Sequence, residues 1–299
     1  MTHSAHRLVS LSRVAKSGLR ATCQRDTPAG SPPSNSVPPK EIALRVDREG
    51  MQRGPSVQLF GLRMDNLSLE ETVSRVNAFI TRGGVHQHVA VNVDKIVKAD
   101  RDPHIREVVN GCDLVSVDGQ AVVWASRFLG QPIKERVTGI DLMVRLFAEA
   151  AKRGYRLYLL GARKEVVERV VEEARGRFPG IEIAGWRDGY FSPVEESDVA
   201  EEISRARPDI LFVAMTSPRK ELFLARWKDR IGAPFVMGVG GSFDVMAGLV
   251  RRAPRWMQRA GLEWLFRLMQ EPRRMWRRYL VEDVRFLWLL ARERSRSRS

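Results

Sequence analysis

Four short polar stretches carry the residues able to do chemistry. "VNVDK" places Asn92, Asp94 and Lys95 at the end of an apolar run, and "SVDGQ" places Asp118 at the end of another. "AMTSPRKE" carries Ser217, Lys220 and Glu221, while "GVGGSFD" carries Gly238, Gly240, Gly241 and Asp244. A carboxylate at a strand end faces the crevice of an open sheet, which suits Asp118 to general-base work. The same carboxylate could instead cap a helix beginning near Gln120. Glycines at 238, 240 and 241 let backbone N–H groups converge on an anion, or simply make a tight turn. Lys220 and Glu221 fall just inside a helix begun by Pro218, as a substrate contact or as an ordinary surface pair. Neither GxGxxG nor GxxxxGK[ST] occurs, so the usual dinucleotide and P-loop prints are missing. His86, His88 and His104 lack metal-ligand spacing, and no metal site is expected.

Those stretches work together only if one sheet presents them at one end. Apolar runs at 88–93, 114–117, 155–161, 181–185, 208–215 and 234–240 alternate with helical patterns. The runs at 208–215 and 234–240 are continuous, as strands buried on both faces require. Ser68 with Glu71 forms a capping-box pattern ahead of Val73, Val76 and Ile80. Over 139–154, Leu142, Leu146, Phe147 and Ala150 make one stripe that Gly154 closes. The expected fold is α/β, a Rossmann-like parallel sheet flanked by helices over residues 57–250.

Charge is unevenly spread. Fifty Lys and Arg against 36 Asp and Glu leave a formal +14, which favours an anionic partner. Residues 251–299 hold fourteen Arg against five acidic residues, together with Trp256, Trp264, Trp276 and Trp288. Residues 251–290 read as a basic amphipathic helical appendage suited to an anionic membrane surface, or as a packed C-terminal helix. No recognition-helix or zinc-finger signature supports nucleic acid. No apolar run approaches the ~20 residues that span a bilayer. "RERSRSRS" at the end has no core-forming residues, so 291–299 is expected to be disordered. Residues 1–56 read as an arm and linker. The first 25 are basic without Asp or Glu, as in transit peptides and unfolded arms alike, and five prolines fall within 26–41. Two cysteines, Cys23 and Cys112, make no disulfide framework and point to a reducing compartment.

The stretches "NVDKIVKA", "DLVSVDGQAVVWASRFLG", "ERVTGIDLM", "LYLLG", "TSPRKE", "GVGGSFDVMAG", "RRAPRWMQRAGLEWLFRLMQEPRR" and "WRRYL" resemble the WecG/TagA/CpsF glycosyltransferases of bacterial surface-polysaccharide synthesis. The resemblance covers residues 57–290. It implies inverting transfer of an N-acetylhexosamine or related sugar from a UDP donor to a polyprenyl-diphosphate-linked sugar. It further implies a peripheral protein at the cytoplasmic face of the bacterial inner membrane, with no cofactor, no metal and no nucleic-acid partner. Carried onto this chain, it implies Asp118 as the base, with Asn92 as a second catalytic residue. Donor binding falls to Thr138, Gly139, Gly161, Ser217, Lys220, Glu221, Gly238, Gly240, Gly241 and Asp244. The acceptor diphosphate or membrane falls to Arg251, Arg252, Arg255, Trp256, Arg259, Arg273 and Arg274. Ala90 stands where the family's Thr-x-Asn motif has threonine, and Lys220 where the commoner motif has glutamine. A homo-oligomer whose neighbour completes the cleft stays open, as does a catalytically degenerate scaffold at the membrane.

Overall fold

Apolar side chains on successive strand residues point to opposite faces, so a strand rich in them at every position needs cover on both sides. The computed structural model, which describes residues 54–270, 272 and 283–296, provides that cover. Arg273, Arg274, Trp276 and residues 1–53 lie outside the described residues. A hairpin of β1 (Ser56–Leu59) and β2 (Leu62–Asp65) precedes α1 (Leu69–Arg82) and β3 (His86–Val91). Next come α2 (Val93–Arg101), α3 (Pro103–Asn110), β4 (Leu114–Val117), α4 (Gln120–Phe128) and α5 (Gly139–Arg153). The chain continues through β5 (Arg156–Gly161), α6 (Lys164–Arg177), β6 (Glu182–Arg187), α7 (Glu196–Ala206), β7 (Ile210–Ala214), α8 (Arg219–Ile231) and β8 (Phe235–Gly238). Short helices α9 (Ser242–Met246), α10 (Arg255–Arg259) and α11 (Glu263–Gln270) follow, and α12 (Asp283–Arg296) closes the described chain.

Strands β3 to β8 form one parallel sheet in the order β4-β3-β8-β7-β5-β6. Leu157, Leu159, Ile210, Phe212, Phe235 and Met237 face α1, α5 and α6 in one core. Their neighbours Tyr158, Leu160, Leu211, Val213 and Val236 face α7 and α8 on the other side. Val89, Val91, Val115 and Val117 extend that second side under α2, α4 and the hairpin. Ser68 and Glu71 make the expected capping box on α1, and Gly154 closes α5 in the left-handed conformation.

The C-terminal helix corrects one expectation. Residues 291–296 are helical, as a continuation of α12, so order does not end at residue 290. Phe286 and Leu289 are buried in the hairpin-side core, and the Phe286 ring lies 5.3 Å from that of Phe60. Arg285 and Arg292 both donate to Asp100 of α2, at 2.7 and 2.8 Å, and Glu293 accepts from the Phe60 amide. A carboxylate on another element therefore holds Arg292, which composition alone assigns to an unstructured tail, together with Arg285 of the same helix.

Candidate active site

The carboxyl ends of all six parallel strands open into one polar cleft of about 680 Å³. β3 contributes Asn92, β4 Asp118, β5 Ala162, β6 Gly189, β7 Met215 to Ser217, and β8 the turn from Val239 to Gly241. Ligands of open parallel sheets bind at this end. A second cavity of about 580 Å³ adjoins it, walled by Trp124 and Phe128 of α4, Trp264 of α11, and Phe286, Leu287 and Leu290 of α12. Asn92, Asp94, Asp118, Glu263 and Arg267 line both cavities.

Asp118 thus stands where a polar cleft meets an apolar groove. Its amide donates to the Val91 carbonyl, which ties the ends of β4 and β3 together. It does not cap α4. Gly119 is the N-cap residue there, without a side-chain bond, so the capping alternative is corrected. Burial pushes the Asp118 carboxyl above its ordinary pKa, against the opposing pull of Arg267 and Arg136. A carboxylate with raised proton affinity in a cleft is suited to accept a proton. Asn92, by contrast, is committed locally. It is the N-cap of α2, its side-chain oxygen accepting the Lys95 amide at 3.0 Å.

That cap fixes the first turn of α2 so that Lys95 points inward. Lys95 and Glu221 are both buried and form an ion pair, and Lys220 approaches the same Glu221 oxygen at 3.3 Å. The Lys220–Glu221 surface pair is therefore corrected to part of a buried cluster that includes a lysine from another helix. Burial opposes the charge on Glu221, but Lys95 and Lys220 outweigh it and bring its pKa down to about 2. Burial, then the Lys95 charge, lower the pKa of Lys220. The same two causes hold buried His88 neutral, at about 3, hydrogen-bonded to Ser116.

The wall between the two cavities is clamped by charge. Arg252 donates to both Asp141 oxygens, at 2.6 and 2.7 Å, and reaches Glu263 at 3.5 Å. Arg136 donates to Glu263 as well. Two arginines thus bind α11 and the segment before α10 to the first turn of α5 and the loop ahead of it. Gly261, at the turn between α10 and α11, lies so close to α4 that a Cβ there would sit 2.5 Å from Gln120 Cγ.

Among the other expected residues, Gly139, Ser217, Gly238, Gly240, Gly241 and Asp244 line the polar cleft. Thr138 lines it too, but its hydroxyl caps α5 and donates to Asp141 at 2.6 Å. Gly161 is not a lining residue. Its φ of +121° and the Ala214 carbonyl oxygen, 2.5 Å from where a Cβ would stand, make it a packing glycine between β5 and β7. Arg251, Arg255 and Arg259 are exposed and line neither cavity, and Trp256 is 65% exposed. Arg252 is held by Asp141 rather than free for a ligand.

Several site residues are not legible in the motifs. Arg267 and Glu263 line both cavities, Arg136 the apolar one, and Arg163 and Arg219 the polar one. Arg219 donates to the Gly189 and Phe191 carbonyls and holds the loop after β6 against the cleft. The four-residue spacing of Glu263 and Arg267 puts them on one face of α11, and that signal could have singled them out. Among the described residues, no group of three or more His, Cys, Asp and Glu side chains is placed to hold a metal ion.

A family model described as "Glycosyl transferase WecG/TagA/CpsF family" matches residues 57–299. The chain is 37% identical over 192 residues to the N-acetylglucosaminyldiphosphoundecaprenol N-acetyl-beta-D-mannosaminyltransferase of Bacillus spizizenii, covering 64% of this chain and 74% of the relative. It is 36% identical over 206 residues to the protein of the same name from Bacillus subtilis, covering 69% of this chain and 79% of the relative.

Proposed function

The chain belongs to the WecG/TagA/CpsF family of glycosyl transferases, and from that membership we propose that it moves an N-acetylhexosaminyl group from a UDP donor to a polyprenyl-diphosphate-linked sugar. The position of Asp118, where the polar cleft meets the apolar groove, carries the reading. A nucleotide sugar is polar and anionic, matching the strand-end cleft. A polyprenyl chain is apolar, matching the groove between α4, α11 and α12. The reacting hydroxyl then lies at the junction. Its proton passes to Asp118 while its oxygen bonds to the anomeric carbon. The bond from that carbon to the β-phosphate oxygen breaks, and UDP leaves with the electron pair. One displacement of this kind inverts the anomeric centre.

The names of the two relatives support N-acetylmannosamine as the first donor sugar to test and N-acetylglucosaminyl-diphosphoundecaprenol as the first acceptor. Exposed Trp124, Phe128, Trp264 and Leu287 at the groove and Trp256 and Trp288 nearby in sequence support contact with a lipid surface. Arg255 and Arg259, exposed on α10 beside Trp256, add attraction to anionic headgroups. No helix among the described residues is long and apolar enough to cross a membrane. The exposed aromatic and basic residues support peripheral attachment, and the family membership suggests the cytoplasmic face of the bacterial inner membrane as its place. The deciding experiment incubates the full chain with UDP-N-acetylmannosamine or UDP-N-acetylglucosamine and an N-acetylglucosaminyl-diphosphate-polyprenol. Mass spectrometry is expected to show one added N-acetylhexosamine. No transfer from either donor to that acceptor, under conditions where the protein is folded, overturns the proposal.

A further inference from the structure

The buried cluster beneath the cleft holds more positive than negative charge. Lys95 and Lys220 share one oxygen of Glu221, while its other oxygen has no hydrogen-bond partner among the described residues. Lys95 is the closer and more deeply buried of the two. It satisfies most of the carboxylate's demand, so one ammonium charge is left over, and it belongs to Lys220. The stem of Lys220 lies across the β8 turn. A Cβ at Gly238 would sit 2.9 Å from both its Cδ and Cε, and one at Gly240 would sit 3.9 Å from its Nζ. The ammonium thus arrives beside the turn that lines the cleft, and Lys220 lines the cleft itself.

We propose that Lys220 is the cation that holds the diphosphate of the nucleotide, and that Lys95, by occupying Glu221, is the positioning residue that keeps Lys220 available. This rests on the UDP-donor reading above. When the anomeric bond breaks, negative charge grows on the β-phosphate oxygen, and a fixed ammonium at the turn offsets it without having to reorganise. Without Lys95, Glu221 would turn to Lys220 as its sole partner and cancel that charge. Gly238 fits the same scheme, because any side chain there displaces the Lys220 stem.

The test is calorimetry of the full chain in EDTA with UDP, uridine and inorganic diphosphate, each variant first checked for native circular dichroism. Lys220→Gln is expected to weaken UDP and diphosphate binding at least about 30-fold while leaving uridine unchanged, as for loss of one partner of a desolvated charge pair. Lys95→Met alone is expected to weaken both anions as well. Lys95→Met combined with Glu221→Gln removes one charge of each sign, and anion binding is expected to return. A merely structural role for Lys95 predicts no such rescue. Native UDP affinity in Lys220→Gln overturns the proposal, and so does a double variant as weak as Lys95→Met. If Lys95→Met or the double variant does not fold, Lys220→Gln decides alone. Wild-type protein that binds diphosphate as tightly as UDP sinks the nucleotide reading but leaves the charge assignment standing. Wild-type protein that binds neither sinks both.

Discussion

Gly261→Ala is a perturbation whose consequences follow from distances. Gly261 has φ +72°, and its added Cβ would meet Gln120 Cγ at 2.5 Å and two Trp124 ring atoms at 3.0 and 3.1 Å. Gly154 has almost the same φ, +73°, with nothing within 4 Å of its Cβ position. Gly154→Ala therefore measures the left-handed backbone cost alone, ~1–2 kcal/mol. Gly261→Ala adds overpacking of ~1–3 kcal/mol. A loss of 1 kcal/mol lowers Tm by roughly 2–4 °C in a domain of this size. The clash can be met in place, with Tm falling by the sum, or relieved by swinging the α10–α11 turn away from α4. Relief deforms the apolar groove, which Gly261 lines, more than the strand-end cleft, to which α11 contributes Glu263 and Arg267 alone and the rest comes from residues 90–244. Transfer to a lipid-linked acceptor is thus expected to fall while UDP affinity holds, measured by acceptor titration beside calorimetry. A Gly261→Ala protein with the Tm of Gly154→Ala and unchanged transfer would show that α4 and this turn do not form a wall the reaction uses.

Asp118→Asn is expected to lower kcat by ~10²–10⁴ in a transfer assay, with thermal stability little changed because Asp118 caps no helix. Since burial raises the Asp118 pKa against Arg267 and Arg136, activity should rise with pH through a value above the ordinary carboxylate range. Arg267→Gln removes a lowering charge, so that limb of the kcat/KM profile should move to higher pH, and a shift downward contradicts the assignment. Glu221 has its pKa depressed from 4.5 to about 2, so its ionised form contributes stability above the ordinary value that is lost as pH falls through about 2. Urea melts across that acid window should therefore lose stability in the native chain, and Glu221→Gln should be flatter there. Co-sedimentation with anionic vesicles should weaken as salt rises, and Trp256→Ser with Leu287→Ser should reduce it further; equal pelleting of that variant would move the contact elsewhere.

The sheet was legible because its strands are short apolar blocks separated by helical stripes, a signal that needs no tertiary knowledge. The runs at 114–117, 208–215 and 234–240 fall on β4, β7 and β8 within a few residues. What was not legible depends on partners far along the chain. Glu221 next to Lys220 reads as a local pair until Lys95, 126 residues away, is brought to it. The terminal Arg–Ser run reads as unstructured until Asp100 receives two of its helix's arginines. Arg136 and Arg267 were hidden for a different reason. Arg267 is one of fourteen arginines in the last segment and Arg136 lies in a loop between α4 and α5; both register only as charge, and charge alone does not say which arginine faces a cleft.

The two walls around Asp118 have different origins in the chain. The polar one is made mainly of strand ends and the turns after them between residues 90 and 244, with Glu263 and Arg267 added from α11, and the apolar one draws on α11 and α12 together with α4. The lipid preference can thus vary largely apart from the donor site, provided Arg267, whose charge acts on Asp118, is kept. Exchange of the segment after Val250 between relatives would carry acceptor preference with it. The α4 surface around Gln120 and Trp124, which touches Gly261, would have to change in step, as would Asp100, Arg136 and Asp141, which bind side chains of that segment. Lineages could diversify their envelope polymers by altering the end of the chain while the sugar-donor half stayed under constraint.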